Sequence, residues 1–442
     1  MSSAVSPSSV SRAAALDILS FPIKLLHVLI SAPALIYLLT LTAMLFRPPD
    51  LKCFPFDRVG LVALVVLVSI ETCVRRDRPK VFAATWPLCA LLALGFLEAV
   101  TQPYEPQVWS LFVAKWIVPF VCFHIAGLVF RDQHSLRRLE TFSLLVLVYL
   151  TLVSVLSLAG ANSYILPHYI NDESIGIHAD RARGPFLQAV ANGVCLNLLG
   201  LIAIDAFRRR RLPFTLACFL FLAVPLALLA TKTRAVWLAT VMSVFLLVFV
   251  SHSTRVRKAA LGMCALAVLC AGALFVFQTD SASFAERLLD RSPVDFRTEM
   301  YEAGWQMFTE KPVFGWGNDW SVQPEIEKRV SSFRPEYYVF HNTFLELAVH
   351  RGVLGLALYA WLIVCLFRLR RYQISESDDP FTNRHFHKLW PALLLVYLVN
   401  ASAVVMNYQF VNALLFTSAG ILAAQQRVEP RALPLVRGRT FA

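Results

Sequence analysis

The sequence predicts an all-α polytopic membrane protein of about twelve transmembrane helices, with a partly helical cap between the ninth and the tenth. Three observations predict it. Of 442 residues, 57% are hydrophobic and the mean hydropathy is +0.60, more apolar surface than a soluble core can bury. The apolar residues gather in runs close to the ~20 residues needed to cross a bilayer. The connectors between runs alternate between rich and poor in Arg and Lys, as in a chain threading back and forth with its basic loops in the cytoplasm.

Taken in order, the runs are 23–46, 59–74, 81–100, 107–130, 139–160, 186–207, 213–230, 235–251, 259–278, 343–367, 389–406 and 409–426. Basic clusters follow every even-numbered run up to the tenth: Arg75, Arg76, Arg78 and Lys80; Arg131, Arg137 and Arg138; Arg208 to Arg211; Arg255, Arg257 and Lys258; Arg368 to Arg371. With both termini inside, all of them fall on the cytoplasmic side, as does the tail with Arg427, Arg431, Arg437 and Arg439. Residues 1–20 are rich in Ser and Ala and lack the apolar core of a signal peptide, so the first run is expected to stay as an anchor. The expected division is 1–278 for helices one to nine, 279–342 for the cap, 343–426 for helices ten to twelve, and 427–442 for a cytoplasmic basic tail.

The formal charge of +12 and pI ≈ 9.4 reside mostly in these short connectors, which argues against a nucleic-acid partner and for a phospholipid bilayer. Nine cysteines, odd in number and scattered mostly through apolar runs, spell no disulfide framework. There is no evident internal repeat, and the mid-chain connector is only RRRRLP, against the two-halved plan of many transporters.

The remaining connectors must share the opposite face: 47–58, 101–106, 161–185, TKTR at 231–234, the large segment 279–342, and a few residues near Asn407. In the large segment Phe296, Met300, Ala303, Gly304, Met307 and Phe308 recur at helical spacing, with Asp295 as the expected N-cap and Pro312 beyond the end. Basic residues are rare on this face outside that segment, so each needs a reason. Arg181 and Arg183 stand in RARGPFLQAVAN and Arg234 in TKTRAVWLAT, each at the outer mouth of a span. A guanidinium grips phosphate oxygens in pairs and keeps its charge at a lipid interface; the alternatives are snorkelling or pairing with Asp180 or Glu173. His341, in FHNTFLELAVHRGVLG, precedes the cap residues Asn342 and Thr343. It either decorates a helix start or, held neutral there, accepts a proton from a hydroxyl. His350 and Arg351 lie deeper on the same helix, where a lipid-facing arginine is costly. Lys115 and Glu98, near the outer ends of neighbouring runs, are expected to pair with each other, unless Lys115 holds an anionic head group. The outer face has no D-x-D, the chain has no H-E-x-x-H or Cys-His cluster, and P-loop and Rossmann signatures are missing. No metal and no cofactor is expected.

Four motifs in this order around one large outer loop resemble the O-antigen ligase and polymerase superfamily of bacterial envelope enzymes. They are R-A-R-G-P-F with Asn192 downstream; T-K-T-R-A-V-W-L-A; Arg297 leading to Trp305, Pro312 and the G-W-G of Gly315 to Gly317; and H-N-T-F-L-E-L with G-V-L-G. Together they cover about 181–355. Lys232 stands where a small or apolar residue is usual. The resemblance implies a metal-independent, inverting glycosyltransferase of the membrane C-type fold in the bacterial inner membrane, with its active site facing the periplasm. The donor would be a glycan on undecaprenyl diphosphate, and the acceptor, in a ligase, a sugar hydroxyl of lipid A core. By position, Arg181 or Arg183, and Arg234, would bind the diphosphate, and His341 would activate the acceptor hydroxyl; Lys115, read from its own place near the outer end of a run, is a further candidate for the donor's anionic head group. Arg297, Trp316, Trp320, Tyr337, Tyr338 and Asn342 are the candidates for acceptor or sugar contacts, the aromatics by stacking. Polymerase and protein O-oligosaccharyltransferase readings share this donor chemistry. A transporter or flippase of lipid-linked glycans is the alternative from another class, though its basic residues should line the whole depth of a pathway.

Overall fold

A computed structural model describes residues 33–48, 54–76, 80–250, 254–258, 292–331, 340–371 and 378–425, with a few single positions besides. Among these, the chain is all-helical: α1 (Pro33–Leu45), α2 (Phe56–Arg75), α3 (Thr85–Val100), α4 (Pro106–Val129), α5 (Gln133–Leu158), α6 (Ala189–Arg208), α7 (Phe214–Ala230), α8 (Arg234–Val250), α9 (Ser292–Glu310), α10 (Asp319–Glu327), α11 (Thr343–Arg368), α12 (Arg384–Ala401) and α13 (Gln409–Ala424). By length and composition α4, α5, α6 and α11 can each cross a membrane, and α1, α3, α7, α8 and α13 are shorter apolar helices. The apolar runs at 59–74, 81–100, 107–130, 139–160, 186–207, 213–230, 235–251, 343–367, 389–406 and 409–426 each fall on one helix. The run 259–278 and the tail 427–442 lie outside the described residues, apart from isolated helical positions within the run.

One core cluster unites most of the apolar helices, with α13 packed along α4, and α12 against α6 and α8. Helices α2 and α8 turn Val62, Val66, Ile70, Val241, Phe245 and Phe249 outward, each 49–69% exposed, so these faces suit lipid.

Connectors expected on a common face meet at one end of the bundle. The Tyr169 hydroxyl donates to Pro185 O (3.1 Å), Gln409 and Arg47 both donate to the buried Asp57 carboxylate, Asn318 donates to Thr101 Oγ1 (3.2 Å), and the Thr343 hydroxyl to Val404 O (2.9 Å). Connectors expected on the other face are joined as consistently. Asp205 at the end of α6 accepts from Arg209 Nε (2.9 Å) and Asn383 Nδ2 (2.9 Å) and lies 3.1 Å from His385 Nδ1; Arg209 also binds Glu140, and Arg208 binds Asp378 (2.6 Å). The RRRR connector is thus fixed by buried acids, not only by its position beside a membrane.

The cap is a helical pair, α9 and α10, around Met300, Ala303, Met307, Val322 and Ile326, with Phe340 and Val349 of the α11 region completing the core. Helix α9 starts at Ser292, three residues before the expected cap Asp295, which lies instead in the first turn, where a carboxylate also complements the helix dipole.

Candidate functional site

The two arginine motifs are knitted together by backbone. Ala182 N–H donates to Ala230 O (3.0 Å), so R-A-R-G-P-F rests on the last residue of α7, immediately before T-K-T-R. Asn192 on α6 holds the same residue from below, donating from Nδ2 to Ala182 O (2.9 Å) and to Ser154 Oγ (2.9 Å), which gives the motif's downstream asparagine a structural role. The doubled arginine resolves into two different environments. Arg183 is buried, and its guanidinium donates to Ile170 O (2.9 Å), Ile175 O (2.6 Å) and Asp172 O, clasping the 170–175 loop. Arg181 is half-buried in a turn in which its N–H donates to His178 O (3.1 Å), and Arg234 opens α8 with an exposed side chain.

His341 follows Phe340, at the entrance to α11, in a left-handed conformation (φ +51°), with Asn342 as the N-cap accepting from Phe344 N–H (2.9 Å) and Leu345 N–H (3.2 Å). Its ring meets Phe296 of α9 edge-on at 6.4 Å, and its carbonyl accepts from the Tyr301 hydroxyl (3.3 Å). Burial, then the neighbouring Arg297 guanidinium, then His178, push the imidazole down to about 4, so it is neutral at physiological pH. Those same neighbours bring three segments to one place: α9 through Arg297, the 161–185 loop through His178, and the start of α11 through His341. Because His178 shares a tight turn with Arg181, and Ala182 is bonded to the residue ahead of TKTR, the motifs converge on one end of the bundle.

What holds the histidine there is a backbone splice. Helix α11 is broken at Gly352 (φ +60°, ψ −156°), a conformation essentially restricted to glycine. Into the break fits the cap's P-V-F-G-W-G loop. Trp316 N–H donates to Val349 O (2.8 Å) and Gly317 N–H to His350 O (2.9 Å), while Val353 N–H donates to Pro312 O (2.7 Å) and Leu354 N–H to Val313 O (3.3 Å). A Cβ on Gly315 would stand 2.5 Å from Val349 O, and one on Gly352 2.5 Å from Pro312 O, so neither position admits a side chain without moving backbone. The G-W-G and G-V-L-G motifs are therefore two halves of one joint. Trp316 belongs to it: its Nε1–H donates to Met307 O (2.8 Å) and Lys311 covers its ring at 3.7 Å, leaving that face no room for a sugar. Trp320 is 68% exposed and remains open to one.

Beside α11 lies a small open cavity of ≈ 80 Å³ lined by Glu98, Lys115, Trp116, Asp319, Glu346 and Arg351 among others, but by neither His341 nor the arginines of the two motifs. Its charges are paired, and not as the sequence suggested. Lys115 binds Glu346 (2.7 Å), whereas Glu98 receives the Arg351 fork at Nε (2.5 Å) and Nη2 (2.6 Å). The expected Glu98–Lys115 pair is thus displaced. Gly95 leaves room for the Arg351 guanidinium over the Trp116 ring (4.5 Å), and a bidentate fork outcompetes a point charge for one carboxylate. A π-helical turn over Val113–Ile117 inserts Lys115 and Trp116 into this wall.

Tyr337 and Tyr338 lie outside the described residues. Among the described residues no group of three or more His, Cys, Asp or Glu side chains is arranged to hold a metal ion. Sequence reasoning missed His178, whose only signal was its place three residues ahead of Arg181, and the joint role of Gly315 and Gly352.

A family model described as O-antigen ligase matches residues 216–360, from the first turn of α7 to the middle of α11. The match takes in Arg234, Arg297, the G-W-G loop, His341 and Gly352, leaves R-A-R-G-P-F outside it, and supports the O-antigen ligase and polymerase superfamily. No curated protein matches the chain. With the apolar helices, the match supports a membrane protein and, at a coarse level, an enzyme.

Proposed function

We propose that the protein is an O-antigen ligase, transferring a glycan from undecaprenyl diphosphate to a sugar hydroxyl of lipid A core at the periplasmic face of the inner membrane, without a metal and with inversion. The observation that carries the reading is a half-buried, neutral His341 at the point where Arg297 and the Arg181 turn converge. A diphosphate is already a good leaving group, so the site needs fixed positive charge more than a general acid. Arg181 and Arg234 supply it in this reading, and Arg183 acts by clasping the loop that carries Arg181. Lys115, paired with Glu346 on the cavity wall, is a more distant donor contact.

As the hydroxyl oxygen attacks the sugar anomeric carbon, the bond to the diphosphate breaks and the hydroxyl proton passes to the His341 imidazole, a contribution typically of about 10²- to 10⁴-fold. An imidazole pushed down to about 4 is a weak base in the free protein. A bound diphosphate changes that, because its negative charge offsets Arg297 and raises the imidazole toward its ordinary range. The base is thereby strengthened when donor is present. In this reading Arg297 and Asn342, which flank the histidine, orient the acceptor, and Trp320 offers an exposed ring for stacking.

Deletion of the gene tests ligase against polymerase. Uncapped lipid A core with accumulated lipid-linked polymer is the expected result, whereas cores capped by single repeats would make the protein a polymerase. A transporter would form no glycosidic product from purified donor and acceptor.

A further inference from the structure

The joint at Gly352 lies where a bilayer should be, and the side chains it displays are apolar. Below the break, α11 presents a continuous exposed stripe: Val353, Leu354, Ala357, Ala360, Trp361, Val364 and Phe367 recur at helical spacing. Arg368, with the basic residues that follow, marks the head-group level on the side away from the cap. Val353 is fifteen residues above Arg368, so at ~1.5 Å per residue it stands about 23 Å higher, and less if the helix tilts. The hydrocarbon layer is about 30 Å thick. Val353 and Leu354 therefore lie inside the cap-side leaflet, not at its surface.

The cap loop lies at the same depth, because Val353 and Leu354 donate their N–H groups to Pro312 O and Val313 O. Its side chains extend the stripe outward: Val313 is 56% and Phe314 73% exposed, beside Val353 at 52%. Non-helical backbone at such depth needs most of its polar groups bonded within the protein. Here the Pro312 and Val313 carbonyls accept from α11, Gly315 N–H donates to Lys311 O (3.1 Å), Trp316 and Gly317 N–H donate to Val349 O and His350 O, and Pro312 has no N–H to satisfy, which leaves the Val313 and Phe314 N–H groups without a backbone acceptor among the described residues.

We propose that residues 312–315 form a membrane wedge, in which Val313 and Phe314 insert among the acyl chains of the cap-side leaflet and fix the depth of the cap. The continuity of the patch with the lipid face of α11 selects acyl chains as its occupant. Because the loop is spliced to the helix that His341 precedes, the wedge also fixes the height of His341 above the hydrocarbon. The inference requires that α11 spans the bilayer; it does not require glycan transfer.

The test is photo-crosslinking of the full chain in nanodiscs of phosphatidylethanolamine and phosphatidylglycerol, with p-benzoylphenylalanine replacing Phe314. Parallel samples carry it at Phe245, on the outward face of α8, and at Lys328, on the polar cap surface. Mass spectrometry should find acyl-chain adducts at 314 in yield comparable to 245 and about tenfold above 328. Adducts at 245 but not 314, or a chain-to-chain product at 314, would overturn the wedge. Replacing an exposed Phe by its benzoyl derivative leaves the core untouched, and an unchanged unfolding midpoint verifies it.

Discussion

Gly352→Ala tests the splice between cap and helix. The native conformation at this position, φ +60° with ψ −156°, is open almost only to glycine, and forcing alanine into it costs about 1–3 kcal/mol. The new methyl would also press on Pro312 O and Val313 O, the two carbonyls that receive Val353 and Leu354 N–H. Relieving that contact gives up two hydrogen bonds, each worth about 1 kcal/mol net. The sum is about 3–5 kcal/mol, enough to lower the unfolding midpoint by several degrees. The assay is thermal unfolding of purified protein in one detergent at one scan rate, beside Gly200→Ala. Gly200 sits within helix α6, and a Cβ there would meet nothing within 4 Å, so its replacement should be neutral or stabilising by up to about 1 kcal/mol. Equal midpoints for Gly352→Ala and wild type would refute the joint.

The same logic separates the arginines. Arg183→Lys loses the fork that clasps three carbonyls and should lower the unfolding midpoint, while Arg234→Lys should leave the midpoint unchanged and remove most transfer. Arg351→Met strands Glu98 and should destabilise by about 3 kcal/mol, with Glu98→Gln in the same chain recovering part of it, as read by the two midpoints. The pH dependence follows from the depressed imidazole of His341: the base is protonated and idle below about pH 4 and available above it, so kcat/KM should fall on the acid side near pH 4. Arg297→Gln removes a positive neighbour and should move that limb upward; the limb in kcat, which reports the donor-bound enzyme, should lie above the limb in kcat/KM.

Much of the fold was legible because its signals are local. Lengths of apolar runs and the placement of arginines gave helix positions within a few residues, and the cap's Met300, Ala303 and Met307 spacing identified its buried face. What stayed hidden was pairing across the chain. Arg181 and Arg183 are indistinguishable by type and spacing, and only the carbonyls of Ile170, Asp172 and Ile175 separate them. Lys115 and Glu98 look like partners on adjacent helices until α11 brings Arg351 between them. Trp316 is read from sequence as an aromatic platform, but a donor to Met307 O and a lysine over its face make it structural. Gly352 breaks a helix whose apolar periodicity runs through it uninterrupted, and no single-segment pattern reveals that a distant loop fills the gap.

In the proposed reaction His341 takes the proton of the attacking hydroxyl. The most direct measurement pairs donor binding with product formation in purified His341→Ala, using undecaprenyl-diphosphate-linked glycan and lipid A core. Wild-type donor affinity, an unchanged unfolding midpoint and a loss of turnover of about 10²-fold or more are expected. Turnover at the wild-type rate would contradict it and reduce the histidine to a residue that shapes the entrance of α11.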